Sequence, residues 1–293
     1  MRFHLRNGYQ LANLCGISYT VFAVVGIISL VLFFSCPLTY GHEQCAHAKV
    51  IGIVVFFELS INFFFFQKYS KRNDPQRWST SCLLSDDDKQ RPSTGRYCME
   101  CDRMAPERSH HCPLCRMCIL RKDHHCFMTG GCVGIANQRF FIVFVLWAGV
   151  GSAIGSYYLL MYLLTFVEPN VYPFGWLKFI APFAVGRWLA SYESLSNMIM
   201  CLAFSLSTAT SIAALIFFFS QMFYTLHGYT MYDYHTLCRR YELKGDGASY
   251  TERLQLVFGR YWILNFIFPQ IWCPNRLTTE IARNIFNTCS KDL

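Results

Sequence analysis

The amino-acid sequence predicts an α-helical integral membrane protein: four transmembrane helices, with a cytosolic cysteine-rich module between the second and the third. Three observations predict it. Of the 293 residues, 53% are hydrophobic, 17% aromatic and only 15% charged, too apolar a mixture for an ordinary soluble domain. Four stretches, at about 14–36, 49–67, 139–167 and 198–225, reach the roughly 20 apolar residues that a spanning helix needs. The segment from Cys98 to Cys132 holds 7 of the 15 cysteines and 4 of the 9 histidines, a density that packing does not explain.

The elements follow in order. Residues 1–13, with Arg2 and Arg6, read as a short cytosolic tail. The first apolar stretch is too long for the core of a cleaved signal peptide and lacks a small-residue cleavage site, so it reads as a signal anchor. Residues 14–67 form two spans joined by a short lumenal loop, in which Cys36 and Cys45 can either pair or stay free. Glu58 falls inside the second span, where an ionisable group must be hydrogen-bonded, neutral or functional. Residues 68–97, which include Ser85 to Lys89 and Pro92 to Gly95, read as a solvated linker whose acidic run Asp86 to Asp88 faces water. The cysteine-rich module occupies 98–138. Residues 139–225 carry the third and fourth spans with an apolar, non-cytosolic connection, and Gly151 and Gly155 in the third suit close helix packing. Residues 226–293 form a cytosolic tail, with Cys238, Cys273 and Cys289 as further thiols.

Charge sets the orientation. From Lys68 to Arg139 lie 13 of the 26 Lys and Arg residues, whereas Pro37 to Ala48 has none and Glu168 to Asn197 only Lys178 and Arg187. The positive-inside rule then puts both termini and the module in the cytosol, the compartment of reduced thiols. The net charge of +8 is accounted for by topology and attraction to anionic membrane lipid; no nucleic-acid partner is implied.

The module reads C-x2-C-x9-H-C-x2-C-x2-C-x4-D-H-H-C-x5-C. Each C-x2-C pair can place two thiolates on one tetrahedral zinc ion. Two closed sites need eight ligands, and eleven candidates are present: Cys98, Cys101, His110, His111, Cys112, Cys115, Cys118, His124, His125, Cys126 and Cys132. If both sites are Cys3His, one cysteine and two histidines remain, and a free cysteine beside a spare histidine is the pattern of an activated nucleophile. In an extended segment His124 faces Cys126 while His125 points the other way, toward a metal. Asp123 is a natural orienter of His124, provided that the backbone turns there, because strict alternation aims it with His125.

These residues resemble the DHHC protein S-acyltransferases (palmitoyltransferases), through the cysteine-rich region that ends in Asp123-His124-His125-Cys126 and on through Cys132-Val133-Gly134, Asn137 and Phe141. The resemblance implies a four-helix membrane enzyme whose Cys126 takes a fatty acyl group from acyl-CoA and passes it to a cysteine of a target protein. By position it implies two structural zinc ions, one held by Cys98, Cys101, His111 and Cys118, the other by Cys112, Cys115, His125 and Cys132. It implies His124 as base and Asp123 as its orienter. The family's Pro-Trp after the nucleophile is Phe127-Met128 here, so Met128 takes the position that contacts the acyl chain. The family's basic residue before Pro106 is Ala105, its Asp-Pro-Gly is Asp74-Pro75-Gln76, and its Thr-Thr-x-Glu is Thr230-Met231-Tyr232-Asp233. Val257-Phe258-Gly259, Trp262 and Pro269 resemble its post-membrane elements.

The expected chemistry is therefore S-acyl transfer, with the CoA head among Arg103, Arg108, Arg121 and Lys122. The expected partners are cytosolic or membrane-associated proteins with juxtamembrane cysteines, and the expected location is an endomembrane, Golgi or ER, with the active site toward the cytosol. The rival reading is a catalytically weak, zinc-stabilised membrane adaptor, supported by the replaced residues at 127–131 and 105.

Overall fold

The computed structural model describes residues 2–77, 96–106, 108–237 and 245–270, together with positions 275, 278, 281 and 285. Most of the expected linker, with Asp86 to Asp88, and the thiols Cys238, Cys273 and Cys289 lie outside the described residues.

Among the described residues, four helical segments are long and apolar enough to cross a membrane: Gly8–Tyr40, Ala46–Asn73, Gln138–Phe166 and Leu195–His227, of 33, 28, 29 and 33 residues. At about 1.5 Å per residue each exceeds the roughly 30 Å hydrocarbon thickness. The first span is α1 (Arg2–Leu30), a π-helical turn (Val31–Ser35) and α2 (Cys36–Tyr40). The π turn directly precedes Pro37, which has no N–H to continue the ladder. Gly41, with φ +83°, ends the helix by donating its N–H to the Pro37 carbonyl at 3.0 Å. Cys36 and Cys45, left open by the sequence, are joined in a disulfide. The second span is α3 (Ala46–Ser70) with a 3-10 turn (Lys71–Asn73); the third is α4 (Gln138–Phe166). A short helix α5 (Ala181–Leu189) precedes the fourth span, α6 (Leu195–His227).

The chain divides into two compact units. The unit made of Tyr19–Ser60 and Phe144–Phe218 is helical and apolar; Ala23, Ile27 and Val31 are buried in one cluster with Leu159, Leu163, Met198 and Cys201. Helices meet here through small residues. A Cβ on Gly155 would sit 2.8 Å from Ile27 Cγ2, and Gly151 likewise admits Val55. Ser207 and Ser211 donate to the carbonyls of Ser152 (2.8 Å) and Gly149 (2.9 Å), the polar adhesion expected where lipid provides no hydrophobic drive. Glu58 is buried.

The other unit comprises Met1–Ser18, Ile61–Val143 and Phe219–Leu293. Its module is three two-stranded antiparallel hairpins: β1 (Arg96–Cys98) with β2 (Arg103–Ala105), β3 (Ser109–Cys112) with β4 (Met117–Leu120), and β5 (His124–Cys126) with β6 (Gly131–Val133). Strands this short are not stable alone, so something besides the ladders must hold them. Buried Asn73, at the end of the second span, accepts from the Ala136 N–H at 2.8 Å and bonds Asn137 at 3.0 Å; Asn137 in turn donates to the Cys132 carbonyl at 3.0 Å. Helix α7 (Tyr250–Phe258) begins at the N-cap Ser249, whose side chain accepts from the Glu252 N–H (3.3 Å), while Glu252 accepts from the Ala248 N–H (2.9 Å). It buries Leu254, Leu256, Val257 and Phe258.

Candidate active site

The hairpins repeat one device. In the first, Cys98 ends a strand, Cys101 lies in the turn, and Asp102 follows with φ +51°; in the second, Cys112, Cys115 and Arg116 (φ +55°) do the same. Each such knuckle is completed by a cross-strand His–Cys pair from the following hairpin: His111 opposite Cys118, then His125 opposite Cys132. The repeat explains the interleaving, because the first hairpin gives only a knuckle, the third only a pair, and the middle one gives its pair backward and its knuckle forward.

The donor atoms of Cys98, Cys101, His111 and Cys118 lie within 4.8 Å of one another, as do those of Cys112, Cys115, His125 and Cys132. A tetrahedral zinc with about 2.3 Å bonds to sulfur and about 2.0 Å to nitrogen has N···S edges of about 3.5 Å and S···S edges of about 3.8 Å. His111 Nδ1 is 3.6 and 3.2 Å from Cys98 and Cys101, Cys118 Sγ is 3.8 Å from Cys101 Sγ, and His125 Nδ1 is 3.6, 3.5 and 3.5 Å from Cys112, Cys115 and Cys132. Both groups fit zinc. His125 Nε2 lies 3.0 Å from Asn13 Oδ1, so the amide oxygen accepts its N–H and fixes the tautomer that leaves Nδ1 for the metal.

Cys126 belongs to neither group. It sits on β5 two residues after His124, on the face opposite His125, as strand alternation requires. His124 Nδ1 is 2.7 Å from Asp123 Oδ2, and its ring also engages Cys126. Asp123 precedes the strand, after a turn at Arg121 with φ +48°, which frees it from the alternation that would aim it with His125. The Phe141 ring packs edge-on to His124 at 5.0 Å.

The charges follow from these contacts. Burial pushes the Cys126 thiol up, but hydrogen bonds and charge from His124, with contacts from Thr129, hold it below the ordinary thiol range. Burial pulls His124 down, yet Asp123 and Cys126 push it up to about 9. Asp123, although buried, is held low by His124, the Met231 N–H and Gln221. The contacts favour the charged form of each group, thiolate beside imidazolium beside carboxylate, an arrangement that can arm a cysteine as a nucleophile.

The DHHC palmitoyltransferase family model matches residues 91–237, half of the chain. The chain belongs to that family. Its members are protein S-acyltransferases, and the fold is the one their resemblance implies: among the described residues, four helices long and apolar enough to cross a membrane, with a zinc-binding-capable cysteine-rich region between the second and third. Comparison with curated proteins found no match.

Around the family's Asp123 the chain closes a buried polar ring. Asp123 Oδ2 accepts from Gln221 (2.8 Å), which accepts from Gln138 (3.4 Å), which accepts from Arg121 (2.7 Å). Arg121 Nε donates to Asp246 at 2.8 Å, and Arg108 spans Asp246 and Asp233. Asp233 accepts from the Thr230 N–H (3.1 Å), and the adjoining Met231 N–H donates to Asp123 Oδ1 (2.8 Å). Two guanidiniums and the His124 ring face three carboxylates, so each buried ionic group has a partner of opposite sign, as burial demands.

This differs from the expectation for the four CoA-facing cations. Arg108 and Arg121 are only 8% and 2% exposed and are spent on carboxylates, because chain more than 100 residues away folds back over them. Arg103 pairs with Asp74 at 2.8 Å and stays partly exposed; Lys122 reaches the His111 carbonyl (3.4 Å) and lies over Tyr232. Met128 is half exposed in the β5–β6 turn. Sequence reasoning missed Asn13, Gln138, Gln221 and Asp246. A glutamine inside the apolar run near the end of the fourth span was a visible signal; Asp246 carried none.

Proposed function

We propose that the protein moves a long-chain fatty acyl group, palmitoyl being the first candidate, from acyl-CoA to cysteines of cytosolic or membrane-associated proteins through a thioester on Cys126. One observation carries this reading: Cys126 alone among the module's cysteines lies outside both donor groups, beside an imidazole backed by a buried carboxylate. The Cys126 thiolate attacks the acyl-CoA carbonyl carbon; the tetrahedral adduct collapses, its bond to the CoA sulfur breaks, and the leaving thiolate takes the proton from His124. His124 then accepts the proton of the target thiol, whose sulfur attacks the acyl-enzyme and expels Cys126 as thiolate. The exchange of one thioester for another is nearly isoenergetic, so positioning and a ready thiolate are the main requirements. Zinc held by the two donor groups would cross-link the hairpins, with all four positions filled by protein.

In this reading Arg103 and Lys122 meet CoA phosphates, while Arg108 and Arg121 hold the ring. Reversing the charge at Arg103 and Lys122 raises the apparent KM for acyl-CoA; an unchanged KM removes them from the CoA site. Met128 lies against the acyl chain near the thioester. The disulfide Cys36–Cys45 and the free module thiols sit in successive connections, hence on opposite sides of a membrane that every span crosses. This supports a cytosolic active site with the disulfide in an oxidising lumen, in an endomembrane such as Golgi or ER.

The deciding experiment is autoacylation of the purified protein with labelled long-chain acyl-CoA, comparing wild type with Cys126→Ser at equal zinc content. Hydroxylamine-labile label in wild type alone is the expected result. No label on fully metallated wild type at any chain length moves the reading to a zinc-stabilised adaptor.

A further inference from the structure

The connection between the third and fourth spans folds back along the helix that follows it. It passes through a 3-10 turn (Gly175–Phe179) into α5, and Ser205 of α6 holds the junction: its hydroxyl accepts from the Ala181 N–H at 2.9 Å and donates to the Phe179 carbonyl at 3.1 Å. Ser205 is ten residues beyond Leu195, the start of α6, a distance of about 15 Å. At the far end of α5, Arg187 pairs at 3.3 Å with Glu193, which lies just before that start. The nine residues of α5 cover about 14 Å, so the helix runs beside the first turns of α6, from the level of Ser205 back to the helix start. Both of its faces are apolar. On the inner one Ala184 is buried with Leu159, Leu163, Met198 and Cys201 of the spans, and Phe179 joins the same cluster. On the outer one stand Pro182, Phe183, Gly186 and Leu189, with Phe183 51% and Leu189 70% exposed.

We infer that residues 175–189 form a re-entrant element whose outer face is covered by the acyl tails of membrane lipid, in the leaflet on the side of the Cys36–Cys45 disulfide. The first and third connections share that side because every span between them crosses. Depth is one argument. A 33-residue helix centred on roughly 30 Å of hydrocarbon projects about 10 Å at each end, so Ser205, about 15 Å in, lies below the lipid headgroups. Backbone chemistry is another. Chain that enters a bilayer must satisfy its polar groups within the protein; where the 3-10 turn gives way to α5, Ser205 takes one N–H and one carbonyl, and Pro182 brings no N–H. The faces agree. Apart from Arg187 in its last turn, α5 is apolar all round, the pattern of a helix that water does not bathe. The connection's two cations, Lys178 and Arg187, are both paired, with Glu168 and Glu193. The exposed rings of Tyr172, Trp188 and Tyr192 stand toward its two ends, where headgroups favour such amphipathic rings.

The inference rests on the spans crossing a membrane, not on acyl transfer, and the test keeps span and re-entrant element apart. Phe183, Leu189 and Ile212 are replaced, one at a time, by the photoreactive residue p-benzoylphenylalanine in the full chain, held in phosphatidylcholine nanodiscs. Ile212, 57% exposed and in the middle of α6, is the span reference. After irradiation, mass spectrometry of the peptides reads the gain of one lipid, and fragmentation places the new bond on tail or headgroup. The Phe183 variant is expected to gain one lipid through its tail, at a yield matching that of Ile212; Leu189 reports on the same face if the Phe183 variant fails to fold. Lipid on Ile212 with none on Phe183 or Leu189 overturns the re-entrant element and leaves the spans standing. A bond from Phe183 to a headgroup alone, or to a second copy of the chain, overturns it too. No lipid on any of the three positions overturns both.

Discussion

His124 carries two jobs that separate by pH. In the proposed mechanism its proton, held until about pH 9 by Asp123 and Cys126, both stabilises the Cys126 thiolate and serves the leaving CoA sulfur. Since the folded Cys126 pKa lies below the ordinary thiol range, the thiolate is present above that lowered value and is lost as pH falls through it. The autoacylation rate is expected to fall as pH drops through that lowered value, and to fall again as pH rises through about 9. His124→Ala returns Cys126 to an ordinary buried thiol, and iodoacetamide alkylation at pH 7 drops at least about tenfold. Asn13 is the quieter partner. Asn13→Leu orphans the His125 Nε2–H, and loss of such a partner typically costs about 10- to 100-fold in metal affinity; faster zinc release to a chelator, from one site of the two, is the expected readout.

The β5–β6 hairpin works because helix ends press on its turn. Gly16, in the first span, lies against the Phe127 carbonyl so closely that any Cβ would collide with backbone, and Ile17 fills the space beside Gly130. Backbone cannot swing aside as a flexible side chain can, so Gly16→Val must drive helix and hairpin apart. A displacement of about 1 Å at a reacting centre costs on the order of 10²-fold in rate. Autoacylation of Gly16→Val is expected to fall by that order, whereas Gly26→Ala, with open space around its Cβ, leaves the rate unchanged.

The buried ring ties the strand that bears Cys126 to chain that follows the fourth span. Asp246 holds two guanidiniums at once and is itself fully buried. Asp246→Ala leaves two buried cations short of a partner, a loss of about 3–5 kcal/mol to be read as a lower thermal midpoint in detergent. Asp246→Asn keeps the shape and loses less. The disulfide is a different kind of tie. Closing a ten-residue loop is worth roughly 2–3 kcal/mol through the unfolded chain, so Cys36→Ser with Cys45→Ser is expected to lower stability by that amount while leaving single-turnover acylation of Cys126 unchanged.

Composition and spacing alone determine the membrane class, the four spans and the donor inventory, because those follow from local periodicity and counting: apolar runs of spanning length, C-x2-C knuckles, and alternation that parts His124 and Cys126 from His125 on β5. Tertiary structure alone decides which cations are buried. Arg103, Arg108, Arg121 and Lys122 look alike as letters, yet Arg108 and Arg121 lie inside because Asp233 and Asp246 return over them. It also decides the pairing of Cys36 with Cys45, the turn at Arg121 that aims Asp123, and the meeting of Asn13 and Gly16 with the site. The physical reason is separation along the chain. A hydrogen bond or an ion pair between residues more than 100 positions apart leaves no periodic trace in either segment, and only the closed chain shows which polar group each has found.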